Sequence, residues 1–158
     1  MELTFHTDYA LRVLIYLGVR GGERAQVADI ARLYDVSRNH LVKVVHHLAQ
    51  GGFIDSYRGR GGGIVLARDP ASIRIGDVVR FTEGPVRPVE CFREANECLV
   101  TEACGLPPIL SEAFRNFIAT LNRYTLADLV AKRAPLEQMF DRRRLARSRR
   151  RKPSGARA

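Results

Sequence analysis

Three cysteines fall within fourteen residues of this 158-residue chain, and no others occur: Cys91, Cys98 and Cys104. Thiolates bind metals, form disulfides or carry out redox chemistry. Glu2 and Asp8 precede the first apolar stretch, unlike in a secretory signal, and no apolar run reaches the ~18 residues of a membrane span, so a cytoplasmic location is expected. There, clustered cysteines more often bind metal or do redox work than form structural disulfides.

The cysteine spacing leaves three chemistries open. A zinc site would need a fourth ligand, but the usual C-x2-C pair is absent and the loop holds no histidine. All four histidines lie in the first half of the chain, well before the cysteines: His6, His40, His46 and His47. A disulfide with one spare thiol would make a thiol switch. An iron–sulfur cluster needs several thiolates and tolerates one different ligand, and the C-x6-C and C-x5-C spacings favour it over the other two.

A second group of residues could read DNA. One helical segment has an apolar stripe of Leu41, Val44, Val45 and Leu48, and its opposite face carries the hydrogen-bond donors Asn39, Lys43, His46 and Gln50. Ser37 is placed to cap this helix. Its first turn, which reaches base edges in the major groove, contains Arg38, Asn39 and His40. Asn pairs with adenine and Arg or Lys with guanine. The alternative is an ordinary solvated helix face.

The elements around this helix predict a winged helix-turn-helix. Two earlier helices share its apolar spacing, and only "YDVS" separates it from the second. After it, "GGFIDSYRGRGGGIVLA" predicts two strands joined by a glycine-rich tip that carries Arg58 and Arg60. Glycine lets backbone approach a surface closely, and the two arginines suit a minor groove or phosphates. Duplex DNA is therefore the expected partner.

The second half of the chain predicts a dimer. A helix of about 18 residues begins near Pro107, with the apolar stripe Leu110, Phe114, Phe117, Leu121 and Tyr124. We expect it to pack on the first helix and to meet its own copy across a twofold axis, because DNA readers of this size usually bind two half-sites about 34–36 Å apart. Thr125, with Asp128 three residues on, is predicted to cap a further turn.

The net charge of +9 lies entirely in the C-terminal segment. Residues 132–158 hold eleven Lys or Arg against two acids, whereas residues 1–131 hold fifteen of each sign. Such a run repels itself and is predicted to be disordered beyond about Arg142. It is either a solubilising tail or a non-specific phosphate contact.

These patterns predict a mainly α fold with a small β wing and a long C-terminal dimerisation helix. The predicted regions are a winged helix-turn-helix DNA-binding domain at 1–84, a cysteine loop at 85–106, a dimerisation helix and following turn at 107–136, and a basic tail at 137–158. No base–nucleophile pair of an enzyme is recognisable.

Six features follow one another along residues 1–136: "LTFHTDYALRVLIYL", "VSRNHLVKVVHHLAQGGFI", "RGRGGGIVLA", "IRIGDVVR", the three cysteines and "YTLADLV". In this combination and order, they resemble the IscR/NsrR family of winged-helix regulators. The likeness is greatest to the nitric-oxide-sensing NsrR branch. The sequence departs from the family pattern in three places: the Cys91–Cys98 gap is one or two residues longer than expected, no histidine follows just after Cys104, and the chain has a basic tail.

The resemblance implies a homodimeric repressor whose three cysteines hold an iron–sulfur cluster, 4Fe–4S in preference to 2Fe–2S. It further implies that Asp8 of the partner subunit supplies a fourth ligand, although Asp8 also suits the role of an acid at a helix N-terminus. Nitric oxide would then release the repressor from its operator. The alternatives are a regulator that senses cluster status or redox state, as IscR does, and a zinc-stabilised winged helix that senses nothing.

Overall fold

The computed structural model describes residues 2–85, 87 and 89–150, with side chains in the last helix as far as Arg147. The elements follow in the order α1 (Phe5–Arg20), α2 (Val27–Tyr34), α3 (Arg38–Gln50), β1 (Ile54–Tyr57), β2 (Gly63–Leu66), α4 (Ile75–Glu83), α5 (Leu106–Leu121), α6 (Leu126–Leu129) and α7 (Arg133–Arg150). Short 3-10 turns occupy Pro70–Ser72 and Glu90–Phe92. The predicted mainly α fold with a small β wing is confirmed. Within the described part of the chain, no helix combines the length and apolar character of a membrane span.

The core forms around α1, which packs against α3, α4 and α6. The apolar stripes predicted for the first three helices meet there, and the fully buried side chains include Leu14, Leu17, Ile30, Leu41 and Leu48. Each such side chain contributes about 1.5–3 kcal/mol when it leaves water. The burial of one face of α3 therefore fixes its opposite face towards solvent.

The turn between α2 and α3 is set by residues at both helix ends. Asp35 ends α2 in the left-handed conformation, with φ 62° and ψ 43°, and its N–H donates to the carbonyl of Ala31. Ser37 occupies the N-cap position of α3 as predicted, but its side chain makes no capping hydrogen bond. The Ser37 carbonyl accepts from the N–H of Leu41 at 3.1 Å, the length of an ordinary helical bond, so helix geometry begins without the side-chain cap.

The wing is an antiparallel hairpin in which Ile54 pairs with Leu66 and Tyr57 with Gly63. Ala25, before α2, forms a further backbone pair on the other side of β2, because its N–H and carbonyl both bond to Ile64 at 2.9 Å. Gly63 permits this contact, since a Cβ there would lie 2.8 Å from the Ala25 carbonyl oxygen. The hairpin is therefore tied to the segment between α1 and α2.

The long helix α5 spans Leu106–Leu121, sixteen residues. Its main neighbour is α4, which itself packs on α1, so the expected direct packing of α5 on α1 is not the principal contact. Gly76 allows α4 and α5 to approach closely, because a Cβ there would lie 2.6 Å from the Ile118 carbonyl oxygen. The predicted capping box of α6 is present, with Thr125 and Asp128 bonded reciprocally.

The prediction of disorder beyond about Arg142 is wrong as far as Arg150, because α7 continues to that residue. The predicted boundary at residue 136, between the dimerisation region and the basic tail, also falls inside this helix. Three features offset the self-repulsion of its arginines. Phe140 packs between the rings of Tyr16 and Tyr34, at centroid distances of 5.4 and 6.2 Å. Arg143 and Arg147 bond to main-chain oxygens of α2, and Arg147 also pairs with Asp35. Residues 151–158 of the predicted tail lie outside the described structure.

Candidate DNA-binding surface and cysteine loop

All the DNA-reading candidates on α3 project into solvent: Ser37, Arg38, Asn39, His40 and Lys43 are exposed. The buried face of the same helix holds Leu41, Val44, Val45 and Leu48, each at most 7% exposed. The helix therefore presents a polar, non-acidic face on a rigid hydrophobic base, as a helix that enters the major groove requires.

The wing arginines Arg58 and Arg60 are also exposed, and within the described residues neither takes part in a hydrogen bond or an ion pair. The wing is joined to α3 by Gly51 and Gly52, and β1 packs against α3, so the structure brings both sets of candidates onto one rigid unit. Their guanidinium groups are free to meet phosphates or a minor groove.

Arg24, in the segment between α1 and α2, contacts the wing and was not among the residues predicted to bind DNA. Its guanidinium lies 4.0 Å from the centroid of the Tyr57 ring and donates to the Gly61 carbonyl at 3.3 Å. Gln26 supports the same tip by donating to the Gly62 carbonyl. Only the pairing of Ala25 with β2, which local sequence does not encode, places these side chains under the tip.

The first turn of α1, residues 4–8, is bonded to two other helices. The hydroxyls of Thr7 and Thr82 meet at 2.8 Å in a buried contact with α4. One carboxylate oxygen of Glu83 accepts from the N–H and the hydroxyl of Thr4, at 2.8 and 3.0 Å. On the other side, ring nitrogens of His6 and His47 lie 2.8 Å apart, which connects the turn to the last turn of α3.

The surroundings of this turn shift the pKa values of Glu83 and His6. Burial raises the pKa of Glu83, but hydrogen bonds from Thr7 and Thr4 outweigh it and leave the pKa below its ordinary value. Burial and the neighbouring His47 lower the pKa of His6, although Glu83 acts in the opposite direction. A neutral His6 can share one proton with His47 in the bond between α1 and α3.

Asp8 lies on this same first turn, with its side chain 39% exposed. Arg12 holds its carboxylate through two contacts, Nε to Oδ1 at 2.9 Å and Nη2 to Oδ2 at 2.7 Å. Asp8 therefore has a structural partner within its own chain, yet its oxygens remain partly open to solvent.

Cys91, Cys98 and Cys104 are half-buried and free of disulfides. The loop that carries them is held by its own side chains: the N–H of Cys98 donates to the Asn96 side chain at 3.1 Å, and Thr101 donates to the Cys98 carbonyl at 2.8 Å. At the start of α5, the N–H of Leu106 lies 3.5 Å from the sulfur of Cys104.

The donor set fits an iron–sulfur cluster in chemical type, since three reduced thiols lie on one irregular loop. Among the residues that the structure describes, however, no three Cys, His, Asp or Glu side chains come close enough together to hold a metal ion. Asp8 likewise forms no such group with the cysteines of its own chain.

The sequence pattern of one protein family, described as "Iron-dependent Transcriptional regulator", matches residues 3–132, which include the winged helix, the cysteine loop and α5. The chain belongs to this family, Rrf2. As a member of the Rrf2 family it is a DNA-binding transcriptional regulator and not an enzyme.

Among curated relatives, the HTH-type transcriptional regulator NsrR of Bacillus subtilis (strain 168) is 46% identical over 142 residues, which are 89% of this chain and 97% of that protein. NsrR of Geobacillus kaustophilus (strain HTA426) is 47% identical over 146 residues, 91% of this chain and 99% of that protein. The solved structure of CymR, the global cysteine regulator of B. subtilis, matches with a TM-score of 0.65 at 28% identity, covering 84% of this chain and 98% of that one. These Rrf2 relatives confirm the resemblance found in the sequence.

Proposed function

We propose that this protein is a homodimeric, iron–sulfur-containing repressor that leaves its operator in response to nitric oxide. The observation that carries the proposal is the set of three reduced, half-buried thiols on the loop between α4 and α5. Relatives named NsrR, which this chain matches over nearly their whole length, support the proposal. Cys91, Cys98 and Cys104 would hold the cluster, which supplies an iron centre that reacts with nitric oxide.

A fourth ligand is proposed to come from Asp8 of the partner subunit. A carboxylate is a hard ligand and a poor match for a thiophilic iron–sulfide core, so this bond would be the one most easily lost. To serve, the carboxylate must exchange its two contacts with Arg12 for the iron. Its exposure leaves that exchange sterically open.

Exposed apolar residues of α5 support the homodimer. No residue of this helix is fully buried by the rest of the described chain, and Ile109 and Leu106 are 64% and 45% exposed. A second copy packed along α5 would cover this surface, and a twofold-symmetric dimer would suit two half-sites about one helical turn apart.

The bonds of the first α1 turn suggest how loss of the Asp8 bond would reach the DNA. Asp8 lies two residues from His6, which bonds to the last turn of α3, and one residue from Thr7, which bonds to α4. A shift of this turn would therefore move the recognition helix relative to the helix that leads into the cysteine loop. To shift the population ratio of the DNA-binding and the released conformation from 1:99 to 99:1 requires about 5.5 kcal/mol of differential stabilisation.

The central test is anaerobic purification followed by iron, sulfide and zinc analysis. We expect iron with acid-labile sulfide, and loss of both when the three cysteines are replaced by alanine. Stoichiometric zinc without sulfide would instead identify a zinc-stabilised module. In a DNA-shift titration, nitric oxide should release the holoprotein from DNA, and equal DNA binding before and after nitric oxide would refute the switch.

The Asp8 assignment is tested by Asp8→Ala, with Glu23→Ala as the control. Both acids pair with an arginine of α1, Asp8 with Arg12 and Glu23 with Arg20, so both variants remove a comparable ion pair. Only Asp8→Ala should change the absorption spectrum and the rate of reaction with nitric oxide. An unchanged spectrum and rate would leave Asp8 as a helix-terminal acid worth about 0.3–1 kcal/mol.

The DNA-contacting residues are proposed to be Ser37, Arg38, Asn39, His40 and Lys43 in the major groove, with Arg58 and Arg60 on phosphates or in the minor groove. Asn39→Ala should cost about 1–3 kcal/mol against the operator and relax its sequence preference. Gln50→Ala, at the far end of the same helix, serves as the control. Equal losses in the two variants would show that the first turn of α3 is not the reading element.

A further inference from the structure

The C-terminal helix α7 is fastened to the helix-turn-helix. The Arg143 side chain donates to the Leu33 carbonyl at 2.9 Å, and Arg147 donates to the Arg32 carbonyl. Both oxygens belong to the last turn of α2, where carbonyls have no partner further along the helix and the helix dipole is negative. The arginines of α7 therefore satisfy groups that the fold leaves open.

Arg147 also pairs with the carboxylate of Asp35, in the turn that precedes the recognition helix. Asp35 lies three residues before Arg38, the first residue of α3. Since successive Cα atoms are about 3.8 Å apart, the Cα atoms of Asp35 and Arg38 are within about 11 Å of each other. Arg147 thus lies beside the N-terminal end of α3, which is the end proposed to enter the major groove, and it would be close to the phosphates that flank that groove.

The charged residues at this end of α7 are all positive. Residues 142–150 include six arginines and no acid, and the sequence continues with Arg151 and Lys152. The neighbouring acids of the helix-turn-helix already have cationic partners, since Asp35 pairs with Arg147 and Asp29 with Arg32. The guanidinium of Arg144 lies 3.9 Å from Asp29, and its side chain remains 45% exposed. Arginine fork geometry suits the recognition of phosphate.

We propose that α7 is a third DNA-contacting element, whose Arg144 and Arg147 bind the phosphate backbone beside the groove that α3 occupies. The proposal rests on the DNA binding described above and adds to the recognition helix and the wing a contact that carries no base information. It also gives the Arg147–Asp35 pair a role, because the pair masks an acid that would otherwise repel the phosphates.

Helix geometry provides a matched control. At 100° per residue, Arg142 lies about 200° from Arg144 and so points to the opposite side of α7. Arg142→Gln removes one positive charge, half of what the double variant removes, at nearly the same sequence position, and glutamine preserves helix propensity. A loss seen only with Arg144 and Arg147 is therefore specific to the face beside α2.

The experiment measures binding of the full-length protein to a fluorescein-labelled 30-base-pair duplex of arbitrary sequence, by anisotropy, between 50 and 200 mM KCl. Each phosphate contact contributes about 0.9 to the slope of log K against log salt. Arg144→Gln/Arg147→Gln should lower the slope by about 1.8 per DNA-reading head, which is roughly a twelvefold change in relative affinity across this range. Arg142→Gln should leave the slope unchanged.

Circular dichroism first establishes that each variant has the wild-type helix content. Arg144→Lys/Arg147→Lys keeps both charges and should keep the wild-type slope. A wild-type slope in the double glutamine variant would overturn the proposal while leaving DNA binding intact, and so would an equal loss with Arg142→Gln or a full loss with the lysine variant. Failure of the wild-type protein to bind any duplex would instead remove the repressor function together with this inference.

Discussion

Replacement of Gly76 by alanine should destabilise the protein, because Gly76 lies where α4 and α5 touch. An added Cβ would lie 2.4 Å from the Asn122 side-chain oxygen and 2.6 Å from the Ile118 carbonyl oxygen. The first atom can move, but the second belongs to the helix backbone, so α5 itself must shift. Overpacking of this kind costs about 1–3 kcal/mol, and the better helix propensity of alanine returns at most about 1 kcal/mol.

The net loss of roughly 1–2 kcal/mol corresponds to a fall in Tm of about 2–8 °C for a chain of this length. The measurement is thermal unfolding of the apo protein by circular dichroism. Gly18→Ala is the matched control, since Gly18 is also a buried helical glycine but faces a Val130 methyl group at 3.1 Å, and a side chain can yield. We expect Gly18→Ala to stay within about 1 kcal/mol of wild type, in either direction. A Gly76→Ala protein as stable as wild type would refute the close helix contact.

Three further changes should affect stability. Glu83→Gln should cost about 1 kcal/mol of folding stability at pH 7, because it weakens the bonds to Thr4. Hydrogen bonding holds the folded-state pKa of Glu83 below its ordinary 4.5, so the difference in stability from wild type should shrink as the pH falls below that value. A difference in Tm that does not change with pH would contradict this. Thr125→Ala removes the reciprocal cap with Asp128 and should cost about 0.5–2 kcal/mol in urea unfolding, whereas an unchanged midpoint would show the cap to be unimportant. Phe140→Ala removes the ring contact of α7 with Tyr16 and should make α7 susceptible to limited proteolysis before the rest of the chain. If α7 and the rest of the chain were cleaved at the same time, the result would contradict a separately docked helix.

The helix-turn-helix and wing could be predicted because local signals agreed there. The apolar spacing that ends in Leu48 predicted both the existence of α3 and its buried face, and the glycines around Arg58 and Arg60 predicted the hairpin tip. The role of Arg24 could not be predicted in this way, because it depends on a backbone pair between Ala25 and Ile64, residues far apart in the chain.

The C-terminal segment shows where composition misleads. A run of arginines such as 142–144 predicts disorder when only its own repulsion is considered. The partners that offset this repulsion are main-chain carbonyls at Arg32 and Leu33, more than a hundred residues earlier, and nothing in the local sequence indicates them. For the cysteine loop, the sequence predicted a shared site, whereas the described part of a single chain does not bring three such ligands together.

The attachment of α7 to α2 has a consequence for engineering. Arg143 and Arg147 bind main-chain oxygens, so these two contacts depend on the path of the α2 backbone. The side chains that α7 contacts in and just after α2 are Asp29, Tyr34 and Asp35, and none of them belongs to α3. A chimera that received a foreign recognition sequence in α3 would therefore retain its C-terminal clamp. Operator preference could then be exchanged by grafting without redesign of the last helix.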